Sequence, residues 1–160
     1  MERLLTIGAH GFDAESFFSA LQRAEVDLFM DLRRRRGMRG RAYSFANASR
    51  LQQELAARGI AYRHVISLAP EPATRELQDR DDAANRTPKR RRASLGEAFV
   101  ADYTRRTLEP FDWAILAEEL KGIRRPALFC VERVPEACHR RLVAERLAGI
   151  TGVLVTDLLP

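Results

Sequence analysis

The chain has 160 residues, 46% apolar and 31% charged, which is one domain's worth with enough apolar matter to bury a core and avoid disorder. No apolar stretch is long enough to span a bilayer, the first residues make a poor signal peptide, and two cysteines, Cys130 and Cys138, cannot staple a secreted scaffold of this size. The net charge of +5 conceals two runs, residues 33–41 (RRRRGMRGR) and 86–92 (RTPKRRR), which hold 11 positive charges and no acid and leave the rest of the chain at −6.

The elements come in alternation. Arg3–Ile7 is a short apolar run ending at Gly8. Asp13 is placed to cap a helix through Leu21, with Phe17, Phe18 and Leu21 on one face. Val26–Asp31 reads as a buried strand, and the first Arg run follows it. Asn47 is placed to cap the next helix, where Leu51 and Leu55 stand one turn apart and Gly59 suits the C-terminal end. Ile60–Ile66 alternates as a strand does. Residues 69–93, with Pro70, Pro72 and Pro88 and little periodicity, read as one long polar loop. Ser94 and Glu97 resemble a capping box before a helix carrying Leu95, Phe99 and Tyr103. Asp112 caps another helix with Trp113, Leu116 and Leu120, closed by Gly122. Pro126–Val131 is a second strong buried strand, followed by a helix over about Glu136–Ala148 and a short strand Val153–Thr156.

Strands alternating with helices predict a single three-layer α/β domain over residues 1–160, with a mostly parallel central sheet and helices on both faces. In such sheets ligands sit beyond the carboxyl ends of the strands. The polar residues collect there: Gly8 and His10 after the first strand, Asp31 and Arg33 after the second, and Glu132 and Arg133 after the strand Pro126–Val131. Cys138, His139 and Arg140 then open the next helix.

These pieces resemble the family of domains of unknown function called DUF488. The resemblance rests on Thr6-Ile7-Gly8 with a nearby His, Asp31-Leu32-Arg33, Phe45, Gly59-Ile60-Ala61-Tyr62, and above all Cys130-Val131-Glu132-Arg133 leading to Cys138-His139-Arg140. The family's usual T-I-G-H start differs here, because Ala9 intervenes before His10. The resemblance implies a Rossmann-like fold and a site at these motifs. It implies no reaction.

A helix N-terminus offers free N–H groups and a positive dipole end, so the triplet at residues 138–140 suits an anion. Arg33 and Arg140 are placed to hold a phosphate, with Gly8, His10 and Arg133 as further ligand contacts. Asp31 or Glu132 would then do acid–base or ribose-binding work, or instead pair with the arginines and hold the site together. Alternatively the same place lowers a thiol's pKa, making Cys138 a nucleophile with His139 or His10 as base in a small-molecule enzyme. A third reading is a non-catalytic protein-interaction module.

Cys130, inside an apolar strand, reads as packing. The spacing C-x7-C-H is not a common structural zinc pattern, and adjacent Cys138 and His139 are expected to project differently. Zinc on Cys130, Cys138 and either His139 or His10 is a minor alternative, and no metal or cofactor is expected. His64 reads as structural, and Phe45 as a core anchor beside Tyr43. Arg34, Arg35, Arg36, Arg39 and Arg41, with Lys89, Arg90, Arg91 and Arg92, form the approach for nucleic acid or a nucleotide. The expected location is a reducing cytoplasm, with no membrane partner.

Overall fold

A computed structural model describes residues 1–160. Five strands, β1 (Leu4–Gly8), β2 (Leu28–Asp31), β3 (Ala61–His64), β4 (Pro126–Cys130) and β5 (Val155–Leu158), form one sheet in the order β3-β2-β4-β1-β5. Every neighbouring pair is parallel, as the βα alternation predicts. The registers Gly8 with Cys130 and Asp31 with Phe129 bring the carboxyl ends of β1, β2 and β4 together.

Side chains alternate across the sheet and sort into two cores of similar size. Leu5, Ile7, Phe29, Ala127 and Phe129 face α1 (Ala14–Arg23) and α2 (Ala48–Ala56), through Phe17, Phe18, Leu21, Leu51 and Leu55. Leu4, Leu28, Met30 and Leu128 face the opposite layer: α4 (Glu97–Tyr103), α5 (Trp113–Glu119) and α6 (His139–Thr151). Burial on both faces explains why β1, β2 and β4 read as continuous apolar runs.

The caps at Asp13 and Asp112 form, accepting from the Ser16 and Ile115 N–H groups at 2.8 and 3.0 Å. The other two caps do not. Asn47 precedes α2, but its side chain accepts from the Met38 N–H at 2.6 Å and ties down the first Arg run. The residue before α4 is Gly96, with no side-chain cap, so Ser94 and Glu97 make no capping box.

The largest departure lies in residues 69–93. They are not one loop: Pro72–Ala84 forms a three-turn helix, α3, packed on α4, and Lys89–Arg91 forms a single 3-10 turn. The buried face of α3 is Thr74, Gln78 and Asp82. That is a helical stripe at every fourth residue, but a polar one, so hydrophobic periodicity passes over it. The stripe is held by hydrogen bonds: Thr74 Oγ1 donates to Asp102 at 2.7 Å, the Gly96 N–H donates to Gln78 Oε1 at 2.8 Å, and Arg92 pairs with Asp82 at 2.8 Å.

Candidate functional site

A cleft of about 450 Å³ opens at the carboxyl ends of β2 and β4. Arg33, Arg34 and Arg35, leaving β2, form one wall, and α3 supplies the other through Arg75, Gln78 and Asp79. Cys130, Cys138 and His139 line it together with Glu132. Six cationic side chains line the cleft against three carboxylates.

Period-two alternation divides the strand-end residues. Asp31 follows Met30 and so points to the Phe29 side of the sheet, whereas Cys130 follows Phe129 and points to the α6 side. Asp31 is fully buried and does not line the cleft. Its carboxylate accepts from Arg33 Nε and NH2 at 2.9 and 2.7 Å, from the Arg33 N–H at 3.1 Å, and from the Tyr62 hydroxyl at 2.9 Å. Arg33 spends its remaining NH1 on the Ala46 carbonyl at 2.9 Å, stacks over Phe129 at 4.5 Å, and is 1% exposed. Arg33 therefore reaches the cleft as a wall, with its guanidinium already engaged. The expected phosphate contact there is replaced by an internal ion pair.

Arg140 is likewise turned inward, at 0% exposure. It donates to the carbonyls of Glu132 and Arg133 at 2.5 and 3.1 Å and to Thr6 Oγ1 at 3.3 Å. It clamps the turn after β4 onto β1 and has no face toward the cleft. Gly8 belongs to the same clamp: a Cβ there would overlap the Glu132 carbonyl, so the position needs glycine for close approach rather than for a ligand. Arg133 is exposed and lies outside the cleft lining. His10 also stays outside, with its ring edge-on to Tyr43 at 5.1 Å and Nδ1 3.8 Å from Glu132. Glu132 is the strand-end carboxylate that does face the cleft, where it pairs with Arg92 at 3.5 Å.

Cys130, Cys138 and His139 converge, contrary to the expectation that adjacent Cys138 and His139 diverge. Cys138 is the residue before α6, in an extended conformation (φ −137°, ψ 138°), so helical angular spacing does not separate it from His139. His139 Nδ1 lies 3.8 Å from Cys130 Sγ and 3.9 Å from Cys138 Sγ. Burial opposes ionisation of Cys138, but the hydrogen bond from the Cys130 thiol and the charges of Arg140 and His139 outweigh it and hold Cys138 well below the usual thiol range. Cys130, a free thiol that shares its hydrogen with the Cys138 sulfur and is buried, is pushed well above that range. Tyr103, edge-on to His139 at 5.6 Å, donates its hydroxyl to the Leu68 carbonyl at 2.6 Å, and burial pushes its pKa well up.

The basic runs split by role. Arg34 reaches over the cleft to the carbonyls of Pro70 and Ala69 at 3.0 and 3.3 Å, while Arg35 is exposed at its rim. Arg36 leans on the Tyr62 hydroxyl at 3.5 Å, and Arg39 and Arg41 are exposed away from the lining. Lys89 pairs with Asp79 at 2.7 Å, Arg90 lies over Tyr43 at 5.7 Å, and Arg91 is exposed. Arg92 is no approach residue: half-buried, it bonds Asp82, Glu132 and the Ala137 carbonyl. Phe45 is a core anchor, as expected, and His64 Nε2 lies 2.8 Å from the Arg33 carbonyl. Arg75 and Gln78, which the sequence reading missed, enter only because α3 forms a wall.

Comparison with curated proteins and with solved structures gave no match. A family model described as "Domain of unknown function DUF488" matches residues 13–147, which include Asp31, Arg33, Cys130, Glu132 and the Cys138-His139-Arg140 triplet. The chain belongs to the DUF488 family.

Proposed function

We propose that the cleft binds a phosphate-bearing ligand, a nucleotide or the end of a nucleic acid strand. The supporting observation is the cationic rim that internal pairing leaves over. Arg35 and Arg75 are exposed at the cleft and have no carboxylate partner, and Arg34 is bonded only to neutral carbonyls. The cleft volume of about 450 Å³ suits a nucleotide-sized ligand. In this reading Arg34, Arg35 and Arg75 meet the phosphate, and Arg36, Arg39, Arg41, Arg90 and Arg91 add long-range attraction. Arg33 and Arg140 act from beneath, as fixed supports.

Fluorescence anisotropy with a labelled mononucleotide and with a labelled single-stranded oligonucleotide, each titrated across salt, tests the reading. Binding should weaken as salt rises, and the double variant R35A/R75A should lose about tenfold or more, the scale of one charge-assisted contact. The probe that binds more tightly identifies the ligand class. Equal affinity of wild type and variant for both probes, or salt-insensitive binding, sinks the proposal.

A further inference from the structure

The thiols and imidazole under the cleft have a geometry that phosphate recognition does not use. The three ligand atoms of Cys130, Cys138 and His139 lie within 4.8 Å of one another, and all three residues are buried. Nδ1 of His139 stands 3.8 and 3.9 Å from the two sulfurs. Zn–S bonds of about 2.3 Å and Zn–N bonds of about 2.0 Å at tetrahedral angles put sulfur and nitrogen about 3.5 Å apart. The two nitrogen–sulfur spacings need only a slight contraction to meet that, and the whole set, spread within 4.8 Å, closes by at most about 1 Å to reach the sulfur–sulfur separation of about 3.8 Å that the same bonds require.

The imidazole is also oriented for the task. His139 Nε2 lies 3.2 Å from the Leu32 carbonyl, which can only accept, so Nε2 carries the hydrogen. In the neutral ring, the form that binds metal, the Nδ1 lone pair is then directed at the two sulfurs. A metal-bound histidine is commonly held by its second nitrogen in this way. Leu32 is fixed in turn, because its N–H donates to the Phe129 carbonyl at 3.0 Å. The three residues come from two rigid pieces, the end of β4 and the start of α6, and Arg140 clamps the turn between them.

We infer that Cys130, Cys138 and His139 form a Zn²⁺ site with its fourth position open to the cleft. Two sulfurs and one imidazole nitrogen suit zinc in donor type, and hard cations such as Mg²⁺ or Ca²⁺ are excluded by the absence of oxygen ligands. On binding, any thiol proton still present leaves to solvent, and two thiolates, a neutral imidazole and Zn²⁺ make a neutral set. The cleft residues line the approach to the fourth position, which takes a water or an oxygen of whatever occupies the cleft. This inference does not depend on the proposed phosphate ligand.

The test uses the reduced, chelator-treated full chain titrated with Co²⁺ and then with Zn²⁺. Co²⁺ should give thiolate-to-metal charge-transfer absorption with tetrahedral d–d bands, saturating at one equivalent, and Zn²⁺ should abolish them. C130S and C138S should each lose the charge-transfer band or weaken Co²⁺ binding about a hundredfold, while far-UV circular dichroism reports whether they remain folded. A second readout needs no variant: in wild type, one equivalent of Zn²⁺ should slow alkylation of both thiols by iodoacetamide. Charge-transfer absorption absent from the folded wild type overturns the inference, as do thiols that alkylate equally fast with and without Zn²⁺. A Cys130–Cys138 disulfide that forms in preference to metal binding overturns it too. R35A/R75A should keep the Co²⁺ spectrum whatever its nucleotide affinity, so failure of one proposal is distinguishable from failure of the other.

Discussion

At the scale of single residues, the molecule puts two of its 25 arginines out of water and makes structure of them. Buried Arg33 has a bidentate carboxylate, and buried Arg140 has two carbonyls and a hydroxyl. Removing one partner of a buried pair leaves an uncompensated charge and costs about 3–5 kcal/mol. Asp31→Asn should therefore lower unfolding free energy by about that much in urea titration, while leaving the exposed Arg35 and Arg75 in place. A loss below about 1 kcal/mol would show that the pair is not a structural keystone. The sequence displays Asp31, Arg33 and Glu132 at the strand ends and Arg140 at the opening of the next helix, and the structure has them there. Their direction is not legible there. Whether a strand-end arginine turns out to a ligand or in to a carbonyl depends on partners such as Ala46 and Thr6, which are remote in sequence.

At the scale of elements, apolar runs and periodicity locate every strand and every α-helix with an apolar face, but not the short 3-10 helix Arg41–Ala46 that seats Phe45. Boundaries shift by a few residues, as at β2, expected over Val26–Asp31 and observed over Leu28–Asp31. α3 escapes because its inward stripe is hydrogen-bonded rather than apolar. Proline at its first position, which suits a helix start, looks from sequence like a loop marker. Gln78 is the centre of that stripe, accepting from the Gly96 N–H and donating to Asp82 at 2.9 Å. Gln78→Ala strands the Gly96 donor and should destabilise by about 1–3 kcal/mol. Hydrogen exchange should then rise first in α3 and at the start of α4, ahead of the sheet. Uniform loss of protection across the whole chain would show that α3 is not a separately stabilised wall.

At the scale of the whole molecule, the site is a product of strand order. β4 is inserted between β2 and β1, so the Arg run after β2 lies beside the thiols at the end of β4 and the start of α6, although about a hundred residues of chain separate them. The sequence pattern puts both segments at one sheet edge but not side by side, because strand order is not written in periodicity. No helix is long and apolar enough to cross a membrane.

The position of β1 has a practical consequence for dissecting the protein. The residues matched by the family model, 13–147, include neither β1 nor β5, yet β1 lies between β4 and β5 in the sheet. A fragment trimmed to that span would keep every residue of the cleft lining and lose its foundation. Its β4, buried along its full length in the intact chain, would become a bare apolar edge, the kind of edge that recruits other chains. Arg140 would also lose its bond to Thr6, and with it the tie between the turn after β4 and β1. The 13–147 fragment should sediment as aggregates where the full chain gives a single species, and a monodisperse, cooperatively melting fragment would contradict this. Here the span matched by the family model leaves out two strands of the sheet on which its own residues are built.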